Sequence, residues 1–196
     1  ELALPGRHVI ANALASLAAA SVWGIGIEEA RTVLPQLRPP AMRGELLRFS
    51  HGAALINDSY NSSPAALQAM TSLLAATPGF KRRILAAGEM RELGATSAQL
   101  HREAGKFAAK TSAIDWVIGV AGDAAQLVEG AVGAGLPRER AKFFATSEQA
   151  AGFLEQFVQA GDLLLVKGSR GVKMERVVEA LLAKHGMTGA AGEVSH

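Results

Sequence analysis

"AALINDSYNSSPAALQAMTSLLAA", residues 53–76, passes through three textures in succession. Ala53–Ile56 is a short apolar run of strand type. Asn57–Ser63 is wholly polar apart from the ring of Tyr60. Pro64 then opens thirteen residues rich in Ala, Leu and Met, and proline is favoured in the first turn of a helix because its missing N–H would have no partner there. The stretch therefore predicts a strand, a tight polar turn and a helix. The pattern recurs downstream. Strand-like runs at 82–88, 115–122, 141–146 and 162–169 alternate with helical runs at 97–110, 123–135, 147–159 (capped by Ser147) and 171–186. Strands alternating with helices of about a dozen residues imply a mostly parallel sheet with helices on both faces. Upstream, residues 44–50 and 53–59 form two strand-like runs joined at His51-Gly52, which predicts an N-terminal β-hairpin. The expected fold is α/β and Rossmann-like, and its ligands belong beyond the carboxyl ends of the strands.

The first forty residues read differently. "VIANALASLAAASV" (9–22) is an Ala- and Leu-rich helix that is apolar on most sides. A second helix is expected from about Ile27 to Leu37, with acidic residues in its first turn. Arg38-Pro39-Pro40 then acts as a stiff linker. Three regions follow: a helical piece plus linker at 1–40, the Rossmann-like domain at 41–186, and a disordered tail at 187–196. Residues 1–37 are expected to expose apolar surface, through which the chain could self-associate.

Composition narrows the function. Lys and Arg total 20 against 18 Asp and Glu, for a net charge of +2, and no basic run is interleaved with aromatics. Nucleic acid is therefore not an expected partner. The absence of cysteine excludes disulfides and thiolate metal sites, and the five histidines have no metal-binding spacing, so no metal site is expected. No apolar run approaches the length of a membrane span. There is no Walker A motif and no G-x-S-x-G elbow.

The strand ends carry what chemistry there is. In "INDSYNSSP", Asp58 stands where the strand gives out, Asn61 follows it, and Ser62 or Ser63 can cap the helix; capping accounts for one or two of these polar groups but not the set. "LAAGEMRELG" sets Gly88, Glu89, Arg91 and Glu92 at another strand end, where a ligand site and acidic residues answering a helix dipole explain them equally. "LLLVKGSRGVKME" sets Lys167, Ser169 and Arg170 after the most apolar strand, at the expected start of a helix, as a candidate anion site.

In this order the segments resemble the C-terminal half of the Mur ligase family. The resemblance rests on "PGRHVIANALASLAAA", Arg43 after the Pro-rich linker, "NDSYNSSPAAL", "GEMRELG", His101-x-x-x-Gly105 and "VKGSRGVKME", and runs from Leu4 to about Lys184. Asn61, where other branches and folylpolyglutamate synthases usually carry His, resembles the branch that adds D-Ala-D-Ala.

The resemblance implies an ATP-dependent carbon–nitrogen ligase that joins D-Ala-D-Ala to UDP-MurNAc-tripeptide in peptidoglycan precursor synthesis, acting in the bacterial cytoplasm. It implies ATP and Mg2+, both held mainly by a central domain that carries the P-loop. His8 and Asn12 match the adenine side, Arg43 the phosphates, and Asp58 the ribose. Asn61, Ser63, Lys167, Ser169 and Arg170 are the candidates for the dipeptide side. Two positions depart from the family text: Val9 follows His8 where Asn is usual, and "YNSSP" replaces "YNANP". Without a P-loop the chain alone is expected to be inactive, as part of a longer, monomeric protein. The alternatives are another ligase of the same superfamily and a non-catalytic Rossmann-like binding module.

Overall fold

The computed structural model describes residues 7–37 and 40–188. Helices α1 (Arg7–Val22) and α2 (Ile27–Val33) come first. The second helix ends earlier than expected: a 3-10 turn over Leu34–Gln36 replaces its last turn, because Pro35 cannot donate to the α-helical ladder. Residues 38 and 39 of the expected linker lie outside the described residues. Strands β1 (Glu45–Arg48) and β2 (Ala54–Asp58) form the antiparallel hairpin, with Gly52 in the left-handed region at its turn.

The alternating part then runs α3 (Pro64–Ala76), β3 (Arg82–Gly88), α4 (Ser97–Lys110), β4 (Trp116–Val120), α5 (Ala124–Gly133), β5 (Ala141–Phe144), α6 (Ser147–Phe157), β6 (Asp162–Lys167) and α7 (Glu175–His185). The six strands lie in the order β1-β2-β6-β3-β4-β5, and every pairing except β1 with β2 is parallel. The last strand in sequence thus sits in the middle and is buried from end to end.

Period-two alternation builds both cores. Leu55, Ile84, Ala86, Leu164 and Val166 point to one face, where α6 and α7 cover them with Leu154, Val177 and Leu181. Ala54, Ile56, Leu85, Ala87, Leu163 and Leu165 point to the other, under α3, α4 and α5. Two glycines set the spacing of the second layer. A Cβ on Gly105 would overlap the carbonyl of Leu127, and one on Gly130 the carbonyl of Arg102, so α4 and α5 touch backbone to backbone. The other end of the sheet is tied by Arg82, which donates from Nε and Nη2 to the two carboxylate oxygens of Asp162 at 2.7 and 2.6 Å.

Three local expectations are revised. Thr146, not Ser147, caps α6: its hydroxyl accepts from Gln149 N. Helix α7 begins at Glu175 rather than 171, because Lys173 adopts the left-handed conformation and breaks the chain away from the preceding 3-10 turn at Arg170–Val172. Met187 and Thr188 are not tail. Met187 bridges to Phe49, and Thr188 donates from its N–H and hydroxyl to the Arg48 carbonyl at 3.0 Å. The remainder of the expected tail, 189–196, lies outside the described residues.

Candidate functional site

Parallel pairing sets Asp58 beside Lys167, and Lys167 beside Ala87, at the carboxyl ends of β2, β6 and β3. Lys167 is 3% exposed, and its Nζ donates to Asp58 Oδ2 at 2.6 Å and to the Asn61 carbonyl at 2.8 Å. This revises the expectation of an open cation. A buried ammonium must be paired, and this one is paired within the chain. Its work is to hold Asp58 and the backbone of the following turn in place.

The polar surplus of residues 57–63 now has an inventory. Asn57 Oδ1 accepts from the hydroxyl of Ser59 at 2.7 Å, and Asn57 Nδ2 donates to Glu45. Asp58 faces Lys167. The Asn61 side chain accepts from Ser62 N at 2.8 Å. Ser63 is the N-cap of α3, accepting from Ala66 N at 3.4 Å. Ser62 is the exception: it is 8% exposed, and its hydroxyl has no hydrogen-bond partner among the described residues. Buried polar atoms are nearly always satisfied, so this hydroxyl is the one polar group of the turn that its internal bonds leave unaccounted for.

That cleft encloses about 820 Å3. One wall is the stripe Val9, Asn12, Ala13, Ser16, Leu17 and Ala20 of α1, spaced as one helix face requires. The opposite wall is α3, with Ala66, Ala69, Met70 and Leu73. Arg43, Asp58, Tyr60, Asn61, Ser62, Ser63 and Lys167 close its polar end. The sequence-predicted Asn12, Arg43, Asp58, Asn61, Ser63 and Lys167 are thus brought together; the side chain of His8 lies outside those described. Outside the cleft, α1 and α2 bury no residue from 9 to 37, and Trp23 is 83% exposed.

Ser169 and Arg170 lie off the cleft wall, on the turn after β6. With α7 beginning at Glu175, neither stands at that helix's N-terminus. Ser169 is buried; its hydroxyl accepts from Arg91 N at 2.9 Å and its own N–H donates to the Glu89 carbonyl. It pins the turn after β3 to the turn after β6. Gly88 and Gly168 make that approach possible: a Cβ on Gly88 would stand 2.8 Å from Met174 Cγ. Gly88 therefore admits Met174.

"GEMRELG" is a folded loop rather than a helix start, since α4 begins only at Ser97. Glu89 accepts from Asp123 N and faces Arg91 at 3.5 Å. His101 is fully buried beneath the loop. Its Nε2 accepts from Met90 N at 2.8 Å while Nδ1 lies 2.8 Å from the Ser97 carbonyl, which assigns the proton to Nδ1 and leaves a neutral ring.

Tyr60 was missed by the sequence reading. The guanidinium of Arg43 lies 4.2 Å from its ring centroid and that of Arg170 lies 5.4 Å from it. The signal available was a solitary aromatic within a polar turn, the one tyrosine of the chain. Among the described residues no group of three or more His, Cys, Asp or Glu could hold a metal ion, and no helix is long and apolar enough to cross a membrane.

Comparison with known proteins adds independent findings. The family model described as "Mur ligase, glutamate ligase domain" matches residues 42–170. UDP-N-acetylmuramoyl-tripeptide--D-alanyl-D-alanine ligase of Escherichia coli is 35% identical over 182 residues, covering 92% of this chain and 38% of that protein. The enzyme of the same name from Bacillus subtilis is 32% identical over 177 residues, covering 90% and 38%. A MurF crystal structure from Acinetobacter baumannii superposes with a TM-score of 0.80 at 27% identity, covering 93% of this chain and 39% of that one. The MurF ligase of Thermotoga maritima in complex with ADP gives 0.72 at 25% identity, covering 92% and 39%. The chain thus spans well under half the length of the relatives it matches.

Proposed function

This chain belongs to the Mur ligase family, and from that premise we propose that it is the C-terminal part of a ligase joining D-Ala-D-Ala to UDP-MurNAc-tripeptide. The observation that carries the reading is the polar end of the cleft, where Arg43, Asp58, Asn61 and Lys167 meet in a chain at least 30% identical to enzymes of that name. In such a ligase ATP activates the peptide carboxylate as an acyl phosphate, and the incoming amine displaces phosphate. The rest of the machinery, including the P-loop, belongs to the preceding part of the protein, with the division near residue 40.

The cleft suits a nucleotide. It is large enough for one, has apolar walls for a base, and carries at its polar end the Arg43 guanidinium, which is in no ion pair among the described residues. In this reading Asn12 meets the adenine and Arg43 the phosphates. Asp58 commits Oδ2 to Lys167 and presents Oδ1 to the ribose. His8 completes the adenine side. Asn61, Ser63 and Arg170 face the dipeptide, while Lys167 and Ser169 hold the two turns that carry them. The described residues do not suit Mg2+, so it is assigned to the preceding part of the protein.

The test is the complete gene product with ATP, UDP-MurNAc-tripeptide and a set of amines. Phosphate release dependent on D-Ala-D-Ala is expected, with none from the 196-residue chain alone. Release with a single amino acid but not with the dipeptide would assign the chain to another branch.

A further inference from the structure

We propose that His101 is a positioning residue for the incoming amine of the ligase reaction: from inside the fold it fixes the loop after β3, and through that loop the turn after β6 that carries Arg170. The inference deepens the ligase reading and rests on it only in assigning that turn to the amine.

The loop is held from three directions. Glu89 N donates to the Val120 carbonyl at the end of β4 at 2.9 Å, Met90 N to His101 Nε2 at 2.8 Å, and Arg91 N to Ser169 Oγ at 2.9 Å. Met90 is fully buried, so its N–H needs an acceptor within the chain. His101, equally buried, supplies one in a single tautomer only. Nδ1 donates to the Ser97 carbonyl at 2.8 Å, which keeps the proton off Nε2 and leaves its lone pair for Met90. The spacing His101-x-x-x-Gly105 thereby acquires a physical meaning, since residues four apart share a helix face. Gly105 lets α4 lie against the Leu127 carbonyl of α5, and His101, one turn earlier on that closely packed helix, meets the loop.

Loop and turn interlock. Ser169 N donates to the Glu89 carbonyl at 3.2 Å while Ser169 Oγ accepts from Arg91 N. A Cβ on Gly168 would stand 3.1 Å from Gly88 Cα, and one on Gly171 would overlap the Arg91 guanidinium. Displacing the loop therefore displaces residues 168–172, Arg170 among them. Among the described residues, the cleft assigned to the nucleotide is lined by none of 88–93, 101 and 168–172. The influence of His101 falls on the amine and not on ATP.

The test uses two substitutions at His101 and one at Ser169. His101→Leu fills the space but removes the acceptor, whereas His101→Gln keeps an acceptor and a donor. In the complete protein His101→Leu should lower kcat/KM for D-Ala-D-Ala about tenfold, the effect of losing one buried hydrogen bond, and leave KM for ATP within about twofold. His101→Gln should recover most of the loss. Ser169→Ala cuts the same connection one link further on and should reproduce the split, which keeps the test open if neither His101 variant folds. In the 196-residue chain, NMR should show Nδ1 protonated and a scalar coupling from Met90 N to His101 Nε2. Hydrogen exchange in His101→Leu should quicken at Met90, Arg91 and Ser169 together while β6 stays protected. A proton on Nε2, a Gln variant no better than Leu, exchange that quickens at Met90 alone, or KM for ATP rising with that for the amine would overturn the proposal. So would a Ser169→Ala enzyme with the parent's kinetics. These failures leave the ligase reading standing. If the complete protein consumes a different amine, the ligase reading falls, while the exchange result and the split, read with that amine, still decide the role of His101.

Discussion

Lys167→Met is the perturbation with the most to say about the site. In the folded chain Nζ lies 2.6 Å from Asp58 Oδ2, and both side chains are largely out of solvent, at 3% and 15% exposure. At an effective dielectric near 20 the attraction at that distance is about 6 kcal/mol, which desolvation of two ions offsets by several kcal/mol. The intact pair therefore contributes little net stability, yet breaking it strands a charge. The expected cost is about 3–4 kcal/mol for Lys167→Met, and about the same for Asp58→Asn, which strands the ammonium. The double variant strands neither charge and should cost about 2 kcal/mol less than the two singles together. Urea unfolding followed by Trp116 fluorescence measures this, since Trp116 is part-buried against Phe157 with ring centroids 4.5 Å apart. With a slope of about 2 kcal/mol per molar urea, each single variant should lower the midpoint by about 1.5–2 M. Additivity within about 0.5 kcal/mol would refute the reasoning, because it would mean that the two groups do not depend on each other and that Lys167 is free to act as a ligand.

Three further outcomes follow from the fold. Asp162→Asn should destabilise the domain by about 3 kcal/mol in the same unfolding measurement, because it removes a bidentate partner from Arg82 at a 2%-exposed carboxylate. Gly105→Ala should cost about 1–3 kcal/mol, because its methyl would meet the Leu127 carbonyl across the α4–α5 contact; an unchanged melting temperature would contradict that packing. Burial, together with the nearby His51 and Lys184, holds the His185 imidazole below its ordinary pKa, only partly opposed by Glu155. The unfolded chain then binds more protons below about pH 6.5, so this stability is complete above that pH and lost as pH falls. The melting temperature should drop between about pH 7.5 and 5.5, and His185→Phe should make the drop smaller.

The periodic text carried most of the fold. Pro64–Ala76, Arg82–Gly88 and Ser97–Lys110 form the elements that their patterns predict, residue for residue, because an apolar period of two or 3.6 is a local property of the chain. Element ends were less legible. The start of α7 depends on Lys173 taking a left-handed conformation, and the cap of α6 falls to Thr146 although Ser147 stands beside it. Both outcomes reflect how a turn joins a sheet already formed. At the site, the sequence marked Asp58, Asn61 and Arg170 as polar groups at strand ends, and the family resemblance added Arg43. It could not tell ligand-facing groups from those spent within the chain.

By itself, then, the sequence determined the alternation of strands and helices, the hairpin that opens the sheet, and the polar character of the turns at its carboxyl edge. All of these follow from neighbours within about a dozen residues. Strand order was decided only in three dimensions. By inserting β6 between β2 and β3, the fold puts Lys167 against Asp58, more than a hundred residues away in the chain, and turns an apparent anion ligand into an internal counterion. The same placement carries Arg170 to the ring of Tyr60, where Arg43 already lies. Pairings of this kind depend on register across a sheet, and no local pattern encodes which side chains that register will bring face to face.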